Sequence, residues 1–173
     1  MKRDTSQEQV IRQIFANYKN FALYGMSGNK IRPSYFVGTY LALHHFDFVS
    51  INPQFDTLFG HPCYKKLREI QPAPEVLVVF RRAEETPQVA QEAVENGVKV
   101  LWLQYGIRWD ETKKIAEDAG LLYVEDRCIK VEHARYFGNL HDGGINTGLI
   151  SSKKKKLLGS GPVSMAETCE IKG

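Results

Sequence analysis

VLVVFRRAEETPQVAQEAVENGVKVLWLQYG, residues 76–106, contains a complete strand–helix–strand unit. Its ends are nearly unbroken apolar runs of strand length, Val76–Phe80 and Val98–Gln104. Continuous rather than alternating apolar character is what a strand buried on both faces needs. Between them, Thr86 as N-cap and Pro87 at the first helical position open a helix, and Gly97 stops it. Strands and helices alternating over short links build a parallel α/β sheet.

The pattern extends outward from this unit. Phe21–Met26, Phe48–Asn52 and Leu121–Glu125 are three further short apolar segments. Helical patterns are expected over 6–18, with Ser6 as N-cap, over 34–44, over 64–70, from Asp110 to Gly120, and from about Val131 to Leu140. Right-handed crossovers leave few topologies. The expected fold is a single Rossmann-like three-layer α/β domain over residues 1–140. Its sheet has five parallel strands in the order 3-2-1-4-5, with helices on both faces. Residues 141–173 are rich in Gly and Lys and are expected to form a partly disordered tail.

Hydrophobic residues make up 43% of the 173, a globular proportion. There is no run of 18 apolar residues, so no membrane span is expected. The start, MKRDTSQEQV, lacks the apolar centre of a secretory signal. Cys63, Cys128 and Cys169 are far apart with no CxxC spacing, a poor disulfide framework that points to a reducing cytoplasm. Five Lys and two Glu fall within 151–173, leaving 18 basic and 18 acidic residues in the first 150. The body therefore has no basic bias, and an anion site in it must be local. The SKKKKL run at 152–157 reads as a solvated end, and no nucleic acid is expected as partner.

Ligands of open α/β sheets sit beyond the carboxyl ends of the strands. Following the first strand comes GMSGNKIRPS (25–34), with Gly25, Ser27, Gly28, Lys30, Arg32 and Ser34. Asn52-Pro53 follows the second strand and Phe80-Arg81-Arg82 the third. Gln104, Gly106 and Arg108 follow the fourth, and Arg127 with Cys128 the fifth. Five arginines thus gather at one edge, which indicates an anion site. The competing reading is that they pair with Glu84, Glu85 or Asp126. The glycine loop is neither GxGxxG nor GxxxxGK[ST]. An NAD site also places an acid near the end of the second strand to hold the ribose, where this chain has Asn52-Pro53. NADP stays open, as does a nucleotide whose ribose carries a phosphate, such as coenzyme A.

Several stretches carry a family resemblance. They are LYGMSGNKIRPSYFVGTYL (23–41), INPQFDTLFGHPCYKKL (51–67), 78–107, DRCIKVEH (126–133) and GINTGLISS (144–152). Over roughly 8–152 the chain resembles the small stand-alone CoA-binding proteins, whose fold is similar to the CoA-binding domain of the succinyl-CoA synthetase α-subunit. The resemblance implies a non-catalytic protein that holds CoA or an acyl-CoA. It implies a glycine–serine loop at Gly25 and Ser27, Arg32 with Ser34, and Asn52-Pro53 near the adenosine. It also implies a basic pair at Arg81-Arg82 and Gln104 with Gly106 along the pantetheine. Asn29-Lys30-Ile31 departs from the neutral Pro-containing turn of relatives. In this reading Gly25 and Gly28 admit the diphosphate close to the backbone, Ser27 and Ser34 offer hydroxyls, and the helix opening at Ser34 adds its positive end.

The rival readings are an NADP-dependent reductase and a CoA-dependent acyl-transfer or ligase subunit. A protein partner or a homodimer stays open. Cys128, between Arg127 and Lys130, is a candidate reactive thiol, with half-buried packing as the plainer reading. Cys63 is the same. No zinc-like ligand spacing occurs, and His133 is expected to be structural.

Overall fold

The computed structural model describes residues 5–137. Five α-helices cover a seven-stranded sheet. The elements run α1 (Thr5–Asn17), β1 (Phe21–Tyr24), α2 (Pro33–Leu43), β2 (Phe48–Ile51), β3 (Thr57–Leu58), β4 (His61–Tyr64), β5 (Val76–Val79), α3 (Thr86–Glu95), β6 (Val100–Leu103), α4 (Asp110–Asp118), β7 (Leu122–Val124) and α5 (Ile129–Phe137). The strand order is β3-β4-β2-β1-β5-β6-β7, parallel except for the β3–β4 pair.

The alternation of strand and helix produces the expected parallel α/β domain, with two corrections. The five expected strands are β1, β2, β5, β6 and β7. Their order is 2-1-3-4-5, not 3-2-1-4-5, because the Val76 strand pairs with β1 through Phe21↔Val76 to Tyr24↔Val79. The edge place beyond β2 is taken instead by β4, through Ser50↔Cys63 and Ile51↔Tyr64. β3 and β4 form a hairpin around Phe59 (φ 55°) and Gly60 (φ 77°). With positive φ at both central positions the turn is of the I′ kind, which usually signals itself as Asn-Gly or Asp-Gly. The second correction is the helix expected over 64–70, which is only a 3-10 turn at Leu67–Glu69. Pro72 and Pro74 follow too closely for an α-helix to continue, since a residue before proline avoids the helical region. The Glu69 carboxylate accepts the Lys65 and Lys66 N–H groups at 3.0 and 3.3 Å.

Helix boundaries shift slightly. Ser6 lies inside α1 rather than capping it, and Thr86 and Asp110 are the first helical residues of α3 and α4. Leu140 and the expected tail over 141–173 lie outside the described residues.

Strand side chains alternate between two cores, one on each sheet face. Phe21, Leu23, Val76, Val78, Val100 and Trp102 pack with Ile11, Ile14, Val37, Leu41 and Ile129 of α1, α2 and α5. Ala22, Leu77, Val79, Leu101 and Leu103 pack with Val89, Ala90, Ala93 and Ala116 of α3 and α4. β5 and β6 are buried along their whole length, which explains their unbroken apolar sequence. Trp102 is fully buried, and its indole N–H donates to the Arg127 carbonyl at 2.7 Å, anchoring the loop after β7.

Candidate functional site

The strand order locates the crevice. The chain leaves β1 toward β2 and β4, then returns to β5 on the other side of β1, so the loops after β1 and β5 diverge there. Such switch points are where open α/β sheets hold ligands. With the order expected from sequence, the loop holding Gln104 would adjoin the glycine loop. In the fold its neighbour is the loop with Phe80, Arg81 and Arg82, and Gln104 is one strand further away.

Gly25 has φ +84°, and a Cβ added there would lie 2.7 Å from Arg81 Cδ and 3.0 Å from the Phe80 carbonyl oxygen. The Arg81 stem therefore rests on bare glycine backbone, which no other residue permits. A Cβ at Gly28 would lie 2.9 Å from the Phe55 ring, so a larger residue there must push that ring aside. The loop is held by its own side chains. The Ser27 N–H donates to Ser34 Oγ at 3.3 Å, the Asn29 N–H to Ser27 Oγ at 3.1 Å, and the Ile31 N–H to Asn29 Oδ1 at 3.1 Å. In both serines the oxygen accepts, so each hydroxyl proton can still be donated. Lys30 and Arg32 are exposed and make no ion pair among the described residues. Arg32 is the N-cap of α2 without a side-chain cap hydrogen bond, and Pro33 begins the helix.

Asn52 is half-buried and fastens β2 to the glycine loop. Its Nδ2 donates to the Met26 carbonyl at 2.5 Å, and its Oδ1 accepts the Gln54 N–H at 2.9 Å. Both ends of its amide are engaged, and Pro53 beside it is exposed. Gln104 is 5% exposed. Its Oε1 accepts the Ile129 N–H at the start of α5, which fixes the amide orientation, and its Nε2 is buried with no hydrogen-bond partner among the described residues.

Four of the five arginines have carboxylate partners. Arg81 and Arg82 share Glu85, at 3.0 and 2.6 Å. Arg108 pairs with Asp126 at 2.5 Å, and the other Asp126 oxygen accepts the Gly106 N–H at 2.6 Å. Asp126 (φ 53°) thus ties the loops after β6 and β7 together. Arg127 lies 3.7 Å from the buried Glu132, which also binds Arg135 at 2.8 Å. Burial pushes the Glu132 carboxyl up, against the pull of Arg135 and Arg127. Glu84, Glu85 and Asp126 are the partners that the competing sequence reading named. Glu132 was missed, because nothing in its spacing distinguishes it from an exposed helical glutamate.

Under the crevice, Tyr24 donates its hydroxyl to Glu92 at 3.0 Å, and burial followed by Glu92 pushes its pKa up to about 12. Cys128 packs at the margin of the α1–α2–α5 core. Cys63 is buried, its thiol donates to the Asn52 carbonyl at 3.5 Å, and burial pushes the thiol up. His133 sits at the opposite end of the sheet among Phe15, Phe46 and Phe137, bonded through Nδ1 to the Tyr40 hydroxyl at 2.9 Å. Among the described residues no three His, Cys, Asp or Glu side chains gather to hold a metal, and no helix is long and apolar enough to cross a membrane.

The model of a CoA-binding domain family matches residues 19–134. The uncharacterized protein YneT of Bacillus subtilis (strain 168) is 32% identical over 124 residues, 72% of this chain and 92% of that protein. A hypothetical protein from Pyrococcus horikoshii OT3 superposes with TM-score 0.70 at 34% identity, over 74% of this chain and 90% of its own. Cell-free ID.343 from Thermus thermophilus superposes with TM-score 0.68 at 30% identity, over 79% of this chain and all of its own.

Proposed function

The chain belongs to the CoA-binding domain family, and on that premise we propose that it holds coenzyme A, or an acyl-CoA, across the crevice between the loops after β1 and β5. The observation that carries this reading is the meeting of Gly25 and Arg81 at the switch point. A left-handed glycine lies beneath the Arg81 stem, which sets that guanidinium at the crevice, beside a loop whose two serine hydroxyls keep a proton to donate. Such an arrangement accepts a phosphate closely. In this reading the diphosphate lies on residues 25–34, with Arg32 and Lys30 over it. Arg81 or Arg82 meets the 3′-phosphate, and the unpartnered Gln104 Nε2 donates to a pantetheine carbonyl. An unmet buried donor costs about 1–3 kcal/mol, which such a bond would relieve. Asn52 acts by shaping the loop.

The protein binds and presents the ligand and does no chemistry on it. Supporting this, the Cys63 thiol is bonded to a backbone carbonyl, not to a base, and His133 stands at the far end of the sheet. Titration calorimetry with CoA, dephospho-CoA, acetyl-CoA, NAD and NADP tests the reading. CoA should bind, and about tenfold or more tightly than dephospho-CoA, from the loss of one charged hydrogen bond. Binding of NADP without binding of CoA would overturn it. Release of free thiol from acetyl-CoA on incubation would assign the protein a reaction.

A further inference from the structure

Glu85 occupies the donor faces of the basic pair. Its Oε2 lies 3.0 Å from Arg81 Nε, and its Oε1 lies 2.7 Å from Arg82 Nε and 2.6 Å from an Arg82 terminal nitrogen. Glu84 adds a looser contact to Arg82 at 3.6 Å. A guanidinium presents the same fork to a carboxylate as to a phosphate, so one anion excludes the other from those nitrogens. Among the described residues Glu85 makes no hydrogen bond or ion pair through its carboxylate except those to Arg81 and Arg82. It stands at the N-cap of α3 but makes no side-chain cap hydrogen bond. The turn there is closed by Thr86, whose hydroxyl lies 2.6 Å from the Ala83 carbonyl and 2.6 Å from Thr112. The Glu85 side chain is 28% exposed, and those of Arg81 and Arg82 are 49% and 76% exposed, so a ligand can reach all three.

We propose that Glu85 is a built-in competitor for the ligand's phosphate, a tethered carboxylate that must be displaced before Arg81 and Arg82 can bind it. The inference rests on the reading of this crevice as a CoA site and deepens it. A carboxylate carries one negative charge, whereas a phosphomonoester at neutral pH carries nearly two. Glu85 therefore yields to a terminal phosphate and resists weaker anions. It keeps weaker anions off the pair, lowers affinity for a nucleotide whose ribose is phosphorylated, and so narrows the preference over one that lacks that phosphate.

The test is Glu85→Gln beside the parent, with melting temperature confirming that both are folded, and with CoA, dephospho-CoA and inorganic pyrophosphate as titrants. CoA should bind the variant about three- to tenfold more tightly, the scale of one or two exposed ion pairs. Dephospho-CoA should change less than CoA, and the gain should shrink at high salt. Glu84→Gln should have a smaller effect. If neither protein binds CoA but the variant binds pyrophosphate more tightly, the competitor stands and the CoA reading falls. If the variant binds both CoA and pyrophosphate no more tightly than the parent, or binds them less tightly, the competitor role is overturned. Weaker binding would make Glu85 a positioning residue for the arginines.

Discussion

Replacing Gly25 by alanine separates the geometry of the glycine loop from its role in binding. The added Cβ must adopt φ near +84°. For an L-residue, left-handed backbone costs about 1–2 kcal/mol. The methyl group also meets Arg81 Cδ at 2.7 Å and the Phe80 carbonyl at 3.0 Å. The Arg81 stem is flexible and moves aside, so most of the stability loss is the backbone term. At about 2–4 °C per kcal/mol for a chain of this size, the melting temperature should fall by about 2–8 °C. Gly97, at the end of α3, is the matched control, with φ +72° and nothing within 4 Å of an added Cβ. Gly97→Ala should cost about the same stability by the same backbone term. The two variants should differ in affinity. Displacing Arg81 forfeits a charged hydrogen bond of about 1.5–3 kcal/mol, so CoA should bind Gly25→Ala roughly ten- to a hundredfold more weakly. Gly97→Ala should bind as the parent does. The assay is thermal melting and calorimetry on all three proteins. If Gly25→Ala binds CoA like the parent, Arg81 and this loop do not hold the ligand. If it melts like the parent while Gly97→Ala does not, the left-handed geometry at Gly25 is wrong.

Arg32→Glu should change stability by no more than about 0.5 kcal/mol, since the side chain is exposed and uncapping, yet weaken CoA at least roughly tenfold by reversing a charge beside the diphosphate. Melting and affinity measured together check this, and unfolding of the variant would instead make Arg32 a structural partner. His133 is held below its ordinary pKa of 6.5, chiefly by burial and then by His44. The unfolded chain therefore takes up this proton at higher pH than the folded one, and the stability so contributed is present above pH 6.5 and lost as pH falls below it. His133→Phe should show a shallower fall in melting temperature between about pH 7 and pH 5. An unchanged slope would refute the role of His133. Cys63 should react with a disulfide reagent more slowly than an ordinary thiol of pKa about 8.5, and Cys128 should label before Cys63 in peptide mapping. Labelling in the reverse order would contradict the burial of Cys63.

Parts of the site were legible from local chemistry. Gly25 was legible as a glycine after a strand that lets an anion approach the backbone, and Arg32 as a cation in the same loop, whereas the start of α2 at Pro33 rather than Ser34 was not. The contact at Gly28 was hidden, since Phe55 is a loop residue that only the fold brings over it. Asn52 was legible as a residue at a strand end but not as a clamp on Met26, 26 positions earlier. The sharing of Glu85 was foreshadowed by its spacing, three and four residues from Arg82 and Arg81. Spacing alone leaves Glu84 equally eligible. The hairpin of β3 and β4 escaped notice because its strands are two and four residues long, Pro62 interrupts the pattern, and Phe59 holds a turn position usually filled by Asn or Asp.

The sequence by itself determined the class of the fold and the five principal strands. Burial on both faces forces continuous apolar runs, and these are visible without knowing any neighbour. It also determined which loops could carry a ligand, because parallel strands place all their carboxyl ends at one edge. Tertiary structure decided which loops meet. β5 pairs with β1 because β4 fills the outer place beside β2, and pairing between segments some fifty residues apart leaves no local trace. That choice set Arg81 on Gly25 and moved Gln104 one strand away. It also decided which arginines are already paired, since an ion pair depends on two side chains reaching the same point in space, whereas the sequence records only that the charges exist.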